Sequence, residues 1–200
     1  MGSNQRALNS FYSMLDKEEE IVADAKMGNQ EAFQRLYNHY IDPIYRFVAL
    51  KVGSKEEAED LTHEVFLSSW QNLNGYQKRG LPFSSWLYRI ARNKVIDHYR
   101  LKKPTVDLQL VQDELVAPIV ELEKTADVRI DMDRLKACLV KLSPTEQDVT
   151  IMRFIEELSH REIAEIMGKS EGAIRVIQHR AIANLKSLIF NAKEDKGAEI

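Results

Sequence analysis

Two stretches of the chain carry the kinds of side chain that proteins use to bind nucleic acid. In the first, residues 83–100, three guanidinium groups and one amide fall within an arc of roughly 100° when the segment is placed on a helix. Guanidinium groups can hold phosphates and an amide can read a base edge. Trp86 lies at the rim of this arc, and the loop before it joins Tyr76 to Lys78 and Arg79, which suits an unstacked single-stranded base. The residues of the arc are Arg89, Arg92, Asn93 and Arg100.

An ordinary amphipathic helix with a solvated basic face would show the same pattern, because aromatic residues at helical spacing usually belong to a core. Residues 83–100 alone therefore leave both interpretations open.

The second stretch, residues 158–179, has the spacing of a helix-turn-helix. Ala164 is small enough for two helices to cross closely, and Gly168 stands where the turn needs a positive φ. Ile174 and Ile177 would hold the second helix on the core and leave its other face free for the DNA major groove. The pattern predicts a DNA-binding protein.

Charge is sorted along the 200-residue chain, whose formal net charge is −3. Residues 78–103 contain eight basic residues and one acidic residue, whereas residues 104–133 contain eight acidic and two basic residues. The sign of the charge on a local surface matters more for DNA binding than the net charge of the chain, so DNA binding remains possible. The small net charge nevertheless predicts that the isolated protein binds DNA weakly.

Targeting and redox signals favour a cytoplasmic protein. No apolar run approaches the roughly 18 residues of a membrane span, and no secretion signal begins the chain. The single cysteine, Cys138, excludes an internal disulfide, and we expect it to fill a core.

Helical periodicity throughout predicts an all-α fold. The expected helices cover residues 17–27, 30–52, 55–73, 83–101, 130–141, 144–156, 159–167 and 171–190. Pro43 is expected to bend the second of them. The expected N-caps are Asn29, Ser54, Ser143, Ser159 and Ser170.

These helices divide into two small domains. Prolines, acidic residues and aperiodic apolar residues mark residues 102–129 as an irregular acidic linker. The linker either lies in a positively charged channel of a partner or simply tethers the domains. The predicted order is an N-terminal extension (1–16), a helical domain (17–101), the linker (102–129), a helix-turn-helix domain (130–190) and a C-terminal tail (191–200).

A basic helix suited to single strands, an acidic linker and a helix-turn-helix together resemble a bacterial sigma factor of the sigma-70 family. More narrowly, the chain resembles the extracytoplasmic-function (ECF) group, which keeps only regions 2 and 4. The matching strings are EAFQRLYNHY, AEDLTHEVFLSSW, FSSWLYRIARNKVIDHYR and LSPTEQDVTIMRFIEELSHREIAEIMGKSEGAIRVIQHRAIANL. The likeness covers about residues 17–101 and 130–190 and implies a region 2 bundle followed by a region 4 helix-turn-helix.

The resemblance implies that the protein binds core RNA polymerase through its β′ and β subunits. The tract from residue 60 to residue 66 is similar to the family's polymerase-binding motif, although His63 stands where the family usually has glutamine. A plain acidic helix face would explain this tract if it stood alone. The implied contact residues are Asp60, Leu61, His63, Glu64 and Phe66.

The resemblance also implies two DNA sites. The −10 element would be opened and read by Tyr76, Lys78, Arg79, Trp86, Arg89, Arg92, Asn93 and Arg100, with Asn93 and the Tyr76 loop capturing bases. The −35 element would be read by Ser170, Glu171, Arg175, Gln178, His179 and Arg180, with Arg175 and Gln178 on base edges. Many relatives have a basic residue at Ile177 and an apolar one at Gln178, so the resemblance does not give the promoter sequence.

Other functions are weighed against this one. The resemblance implies promoter DNA and an anti-sigma factor as further partners, with no cofactor and no membrane insertion. A two-domain helix-turn-helix regulator that does not bind core polymerase is the nearest alternative, and a protein-binding adaptor is another. A metal enzyme is disfavoured because the five histidines form no ligand pair, and no phosphate-binding glycine loop or catalytic triad pattern is present.

Overall fold

The computed structural model describes residues 15–78, 80–102 and 136–194, and all regular elements within them are helices. The all-α prediction is therefore confirmed for these residues. Several predictions lie outside the described residues: residues 1–14 of the extension, Arg79, nearly all of the linker, the first part of the helix predicted at 130–141, and residues 195–200 of the tail.

Four helices form the first bundle. They are α1 (Glu18–Lys26), α2 (Gln30–Ala49), α3 (Lys55–Asn72) and α4 (Phe83–Leu101), and a 3-10 turn (Leu73–Gly75) begins the connection from α3 to α4. Each helix turns an apolar face inwards, and the side chains at the centre are completely buried. Among them are Leu36, Ile44, Phe47, Val65 and Leu87.

The second bundle follows the linker. It contains a helical stretch at residues 136–140, α5 (Pro144–Thr150), a π-helix (Ile151–Ile155), α6 (His160–Met167) and α7 (Glu171–Glu194). Its fully buried residues include Leu139, Val149, Ile163, Ile174 and Ala181. Of the two residues predicted to hold α7 on the core, Ile174 is fully buried and Ile177 is partly buried.

Side-chain caps begin five helices, as predicted. Asn29 accepts a hydrogen bond from the backbone N–H of Ala32 at 3.2 Å, and Ser54 does the same for Glu57 at 3.1 Å. Ser143 and Ser159 form complete capping boxes with the glutamate three residues on, and Ser170 caps α7. These bonds satisfy backbone donors that the helix itself cannot use, so they fix where each helix starts.

The turn of the helix-turn-helix has the predicted geometry. Gly168 ends α6 with φ +63°, in the left-handed region that glycine reaches at the least cost. Ala164 is buried, and the backbone N–H of Lys169 closes the turn on its carbonyl at 2.9 Å. The face of α7 opposite Ile174 is therefore left outside the bundle.

The helix predicted for residues 144–156 is present, but its second half is a π-helix rather than an α-helix. After Thr150 the chain widens into the π-helix, and the Glu156 N–H bonds the carbonyl of Ile151 five residues back at 3.0 Å. Apolar side chains still face the core through this turn, so the sequence pattern does not reveal the change of register. The turn ends with the Glu156 side chain completely buried.

Glu57 ties the first turn of α3 to the end of α4. Its carboxylate accepts from the Gly53 N–H at 3.3 Å, forms an ion pair with Lys102, and lies 3.7 Å from Nε2 of His98. Burial opposes ionisation, but Lys102, His98 and the Gly53 N–H outweigh it and lower the pKa of Glu57. The ionised carboxylate thus helps to hold the basic helix α4 in place.

Candidate nucleic-acid interface

A cavity of about 360 Å³ opens where the loop after α3 meets the first turn of α4. Tyr76, Trp86 and Arg89 are among its lining residues. The ring centroids of Tyr76 and Trp86 lie 5.2 Å apart, and both rings pack on Phe83. An aromatic wall beside a guanidinium group can stack a nucleobase and attract its phosphate.

Tyr76 is a buried wall of this cavity. Only 9% of its surface is exposed, and burial, followed by the carboxylates of Glu18 and Glu19, raises its pKa to about 12. The phenol is therefore neutral near pH 7 and can either donate or accept a hydrogen bond. Lys26 holds the loop from behind, because its Nζ donates to the Tyr76 carbonyl at 2.9 Å.

Glu18 fixes the first turn of α4. Its carboxylate is 4% exposed, accepts from the Phe83 N–H at 3.0 Å through Oε2, and accepts from the Tyr40 hydroxyl through Oε1. Pro82 offers no side-chain cap at this helix start, so the buried carboxylate takes over that role and also suits the positive end of the helix dipole. Burial and then Glu18 raise the pKa of Tyr40.

The basic face of α4 is only partly gathered at the cavity. Arg89 lines it, whereas Asn93, one turn further on, is exposed and lies outside the lining. Lys78 pairs with Glu19, and Arg100 lies 3.4 Å from Asp97. The structure therefore brings together Tyr76, Trp86 and Arg89 of the predicted −10 residues. The lining of the cavity does not include Lys78, Asn93 or Arg100.

Arg92 is not a free guanidinium. Its Nε lies 2.7 Å from Oδ2 of Asp148, a buried residue of α5 in the second bundle. The role of Arg92 at the DNA backbone stays a prediction, and in this arrangement its guanidinium is paired with Asp148. Sequence spacing could not show this pair, because its members are 56 residues apart.

The predicted polymerase-binding tract lies on α3 and divides between two faces. Asp60, His63 and Glu64 are exposed, and Glu64 bonds Nζ of Lys94 at 2.9 Å. Leu61 and Phe66 are buried, so they anchor the helix rather than present a free surface.

An apolar groove of about 390 Å³, which was not predicted from the sequence, lies beside this tract. Leu67 is 57% exposed and Trp70 is 36% exposed, although both are large and apolar. The ring of Trp70 packs edge-on against Phe33 at 4.7 Å. Their positions, out of phase with the buried stripe of α3, were the signal that could have revealed the groove. Its lining residues are Gln30, Phe33, Tyr37, His63, Phe66, Leu67 and Trp70.

The start of α7 presents the predicted −35 residues. Glu171, Arg175, His179 and Arg180 are exposed, as is Ser170, whose Oγ accepts from the Ala173 N–H at 3.2 Å.

Two of the predicted base-reading side chains on α7 are held by neighbours. Arg175 lies 3.2 Å from Glu171, and Oε1 of Gln178 lies 2.6 Å from Nε2 of His160 on α6. These contacts restrict the rotamers that the two side chains can adopt. Val176, which sequence analysis did not select, is 52% exposed on the same helix.

The described residues offer neither a metal site nor a membrane-spanning helix. Within residues 15–78, 80–102 and 136–194, no group of three histidine, cysteine, aspartate or glutamate side chains could hold a metal ion. Among the helices of these ranges, none combines the length and the apolar character needed to cross a membrane.

Both bundles match known protein families. The sigma-70 region 2 family matches residues 36–105, and the sigma-70 region 4 family matches residues 138–187. The chain is 36% identical over 174 residues to the ECF RNA polymerase sigma factor BldN of Streptomyces coelicolor. That match covers 85% of this chain and 65% of BldN, so the chain spans about two thirds of that relative's length.

A second relative supports the same grouping, and one solved structure has a similar fold. The chain is 31% identical over 169 residues to the ECF RNA polymerase sigma factor SigW of Bacillus subtilis, covering 80% of this chain and 89% of SigW. Its fold is also similar to that of CnrH, solved in complex with the cytosolic domain of CnrY. The TM-score is 0.69, with 24% identity, 87% of this chain covered and 97% of CnrH covered.

Proposed function

The chain belongs to the sigma-70 family and to its extracytoplasmic-function group, and we propose that it binds core RNA polymerase and directs transcription initiation at a set of promoters. The observation that carries the proposal is the pairing, in one chain, of an aromatic and basic cavity on α4 with a helix-turn-helix whose second helix is exposed. The first suits an unpaired base and the second a duplex major groove, and a promoter-opening protein needs both.

Core polymerase binds the exposed side of α3. Asp60, His63 and Glu64 supply polar contacts, and the neighbouring groove with Leu67 and Trp70 supplies apolar ones. Exposed apolar side chains rimmed by charges are the usual composition of a protein interface. The β′ clamp, named by the family resemblance, is the partner of this face, with further contacts to the β subunit.

The −10 element binds at the cavity of α4. A non-template base leaves the duplex and stacks against the aromatic wall, while Arg89 and the exposed basic residues hold the backbone. Unpairing costs a few kcal/mol per base, and stacking returns about 1–3 kcal/mol for each base. Melting therefore draws on binding energy.

The −35 element binds along the first turns of α7. Arg175 and Gln178 read base edges, Val176 can contact a thymine methyl group, and Ser170, His179 and Arg180 hold phosphates. Glu171 orients Arg175 through their 3.2 Å contact.

The same proposal extends to regulation and location. The protein acts in the cytoplasm as a regulatory rather than a catalytic subunit, with the linker (102–129) joining its region 2 domain (17–101) to its region 4 domain (130–190). An anti-sigma factor holds it inactive, an inference supported by the family to which the chain belongs.

Run-off transcription with core polymerase on a random promoter library tests the function. The full chain is expected to select templates that share an upstream and a downstream element. Arg175→Ala should relax discrimination in the upstream element by about 1–3 kcal/mol. Lys186→Ala, exposed on the same helix but further from its start, is the matched control and should leave the selection unchanged.

A pull-down of core polymerase and a duplex DNA-binding assay show what a failure of run-off transcription means. If the chain does not associate with core polymerase but still binds duplex DNA, it is a helix-turn-helix regulator without sigma activity. If it binds neither, the DNA-binding proposal falls as well.

A further inference from the structure

A buried hydroxyl without a partner lies in the wall of the cavity on α4. Ser85 is one of the residues that line this cavity, and only 5% of its surface is exposed. Among the residues that the structure describes, none forms a hydrogen bond with its Oγ. Buried hydroxyl groups nearly always have a partner, because an unpaired one has lost its water and gained nothing in exchange. The unpaired hydroxyl of Ser85 therefore needs an explanation.

The place of Ser85 in α4 shows that the helix does not satisfy this hydroxyl. A buried serine in a helix commonly donates to a carbonyl three or four residues back, as Ser69 of α3 does to Phe66 at 2.8 Å. The equivalent carbonyl for Ser85 is that of Pro82, at the N-cap before α4. It accepts from the Ser85 N–H at 3.1 Å but not from the hydroxyl. The start of α4 thus leaves Oγ available to another group.

Ser85 differs from the other buried polar groups that lack a partner among the described residues. These are the hydroxyl groups of Tyr45 and Thr150 and the Nε2 atom of His98. None of these three residues lines the cavity on α4 or the apolar groove on α3. Ser85 thus combines an unpaired polar atom with a place in a cavity wall, which is the combination that a ligand-binding group requires.

The side chains around Ser85 suit a nucleobase. Arg89 is four residues further along α4 and therefore lies on the same helix face, and both residues line the cavity. The rings of Tyr76 and Trp86, 5.2 Å apart, form a wall on which a base can stack. A stacked base turns its donors and acceptors sideways. A serine hydroxyl can meet such an edge because it both donates and accepts and can turn about χ1.

We infer that the Ser85 hydroxyl pairs with the edge of the base that stacks against Tyr76 and Trp86, and that it helps to determine which base the cavity accepts. This inference rests on the proposed binding of the −10 element at α4. A base with a matching polar atom satisfies the hydroxyl, whereas a mismatched base leaves the hydroxyl and its own edge unpaired in a closed site. Loss of one such hydrogen bond corresponds to about fivefold in discrimination.

Run-off transcription by core polymerase and the Ser85→Ala variant, on the random promoter library, tests the inference. The variant should lose about fivefold of the base preference at one position of the downstream element and keep the preferences elsewhere. Ser84→Ala is the matched control, because Ser84 lies in the same turn but outside the cavity lining, and it should select the same sequences as the parent. If Ser85→Ala selects the same downstream bases as the parent, the inference alone is overturned. If the parent selects no downstream element, the proposed binding of the −10 element fails and the inference fails with it.

An abasic nucleotide distinguishes a direct contact from an indirect effect. It replaces, in the non-template strand of a selected promoter, the base at the position that Ser85→Ala affects. The parent should lose both the stacking and the hydrogen bond, whereas Ser85→Ala should lose about fivefold less, because its hydrogen bond is already absent. If the two losses of transcription simply multiply, Ser85 does not contact that base and the inference is overturned.

Stability measurements separate a contact with DNA from a role in folding. Because the Ser85 hydroxyl has no partner among the described residues, Ser85→Ala should leave the free energy of unfolding unchanged or raise it. Urea denaturation of the full chain, followed by circular dichroism, measures this quantity. A clear loss of stability would mean that the hydroxyl serves the fold, and it would overturn the inference. Full stability together with a lost base preference is the result expected of a group that contacts the DNA.

Discussion

Replacement of Glu18 tests whether a single buried carboxylate organises the start of α4. In Glu18→Gln the side-chain oxygen can still accept from the Phe83 N–H, and the new amide can donate to the Tyr40 oxygen. Shape and hydrogen-bond number are thus preserved, while the negative charge at the helix start is lost. Because the two native bonds use different oxygens, both lose their charge assistance.

The expected cost follows from those two bonds. A hydrogen bond to a charged group contributes roughly 1 kcal/mol more than a neutral one, so Glu18→Gln should lower the free energy of unfolding by about 2 kcal/mol. Glu18→Ala should cost more, because it also leaves the Phe83 N–H buried without an acceptor. Urea denaturation followed by circular dichroism measures both variants at neutral pH.

Glu20→Gln is the matched control for this series. Glu20 lies on the same helix, its side chain is 70% exposed, and its contact with Lys17 is 3.6 Å. It should shift the unfolding free energy by no more than a few tenths of a kcal/mol. If Glu18→Gln is as mild as Glu20→Gln, the carboxylate does not fix the helix start and the reasoning is refuted. A confirmed effect should also reduce run-off transcription, because the same turn carries Trp86.

Three further predictions address the partner surface, the turn and the pH dependence. Trp70→Ala should weaken binding of core polymerase by about 2 kcal/mol, or about 30-fold, in a pull-down titration. Met27→Ala, at an exposed position, should not change the affinity. If the two variants bind core polymerase equally well, the groove is not part of the interface. Gly168→Ala should destabilise the protein by about 1–2 kcal/mol because its φ is +63°, whereas Gly172→Ala within α7 should be neutral or stabilising. Folding lowers the pKa of the Glu57 carboxyl, so the native protein should be more stable than Glu57→Gln at neutral pH. This difference in the free energy of unfolding, measured by denaturation, should disappear as the pH falls below about 4.5. A constant difference down to about pH 3 would contradict the prediction.

Features fixed by neighbouring residues could be predicted from the sequence. A cap such as Asn29 or Ser54 acts on a backbone donor three residues away, so its signal lies within one helical turn. The positive φ of Gly168 is local in the same sense, because the turn it forms joins two helices only a few residues apart. For this reason the helix boundaries and the helix-turn-helix were predictable.

Features fixed by distant residues could not be predicted in this way. In the sequence, Glu156 is an ordinary polar residue near the end of a predicted helix. Only the three-dimensional structure shows that a π-helix buries it against Arg46, which is 110 residues away. Leu67 and Trp70 have apolar side chains, but their exposure depends on which face of α3 the other helices cover.

Arg92 shows how the two kinds of information must be combined. Its place on a basic helix face indicated a phosphate ligand, and the structure instead gives it the carboxylate of Asp148. The two are compatible if the carboxylate and the DNA backbone compete for one guanidinium, since a group that suits one anion suits the other. The sequence position of Arg92 thus supports its proposed role at the −10 element, while the structure shows the carboxylate that a DNA phosphate would have to displace.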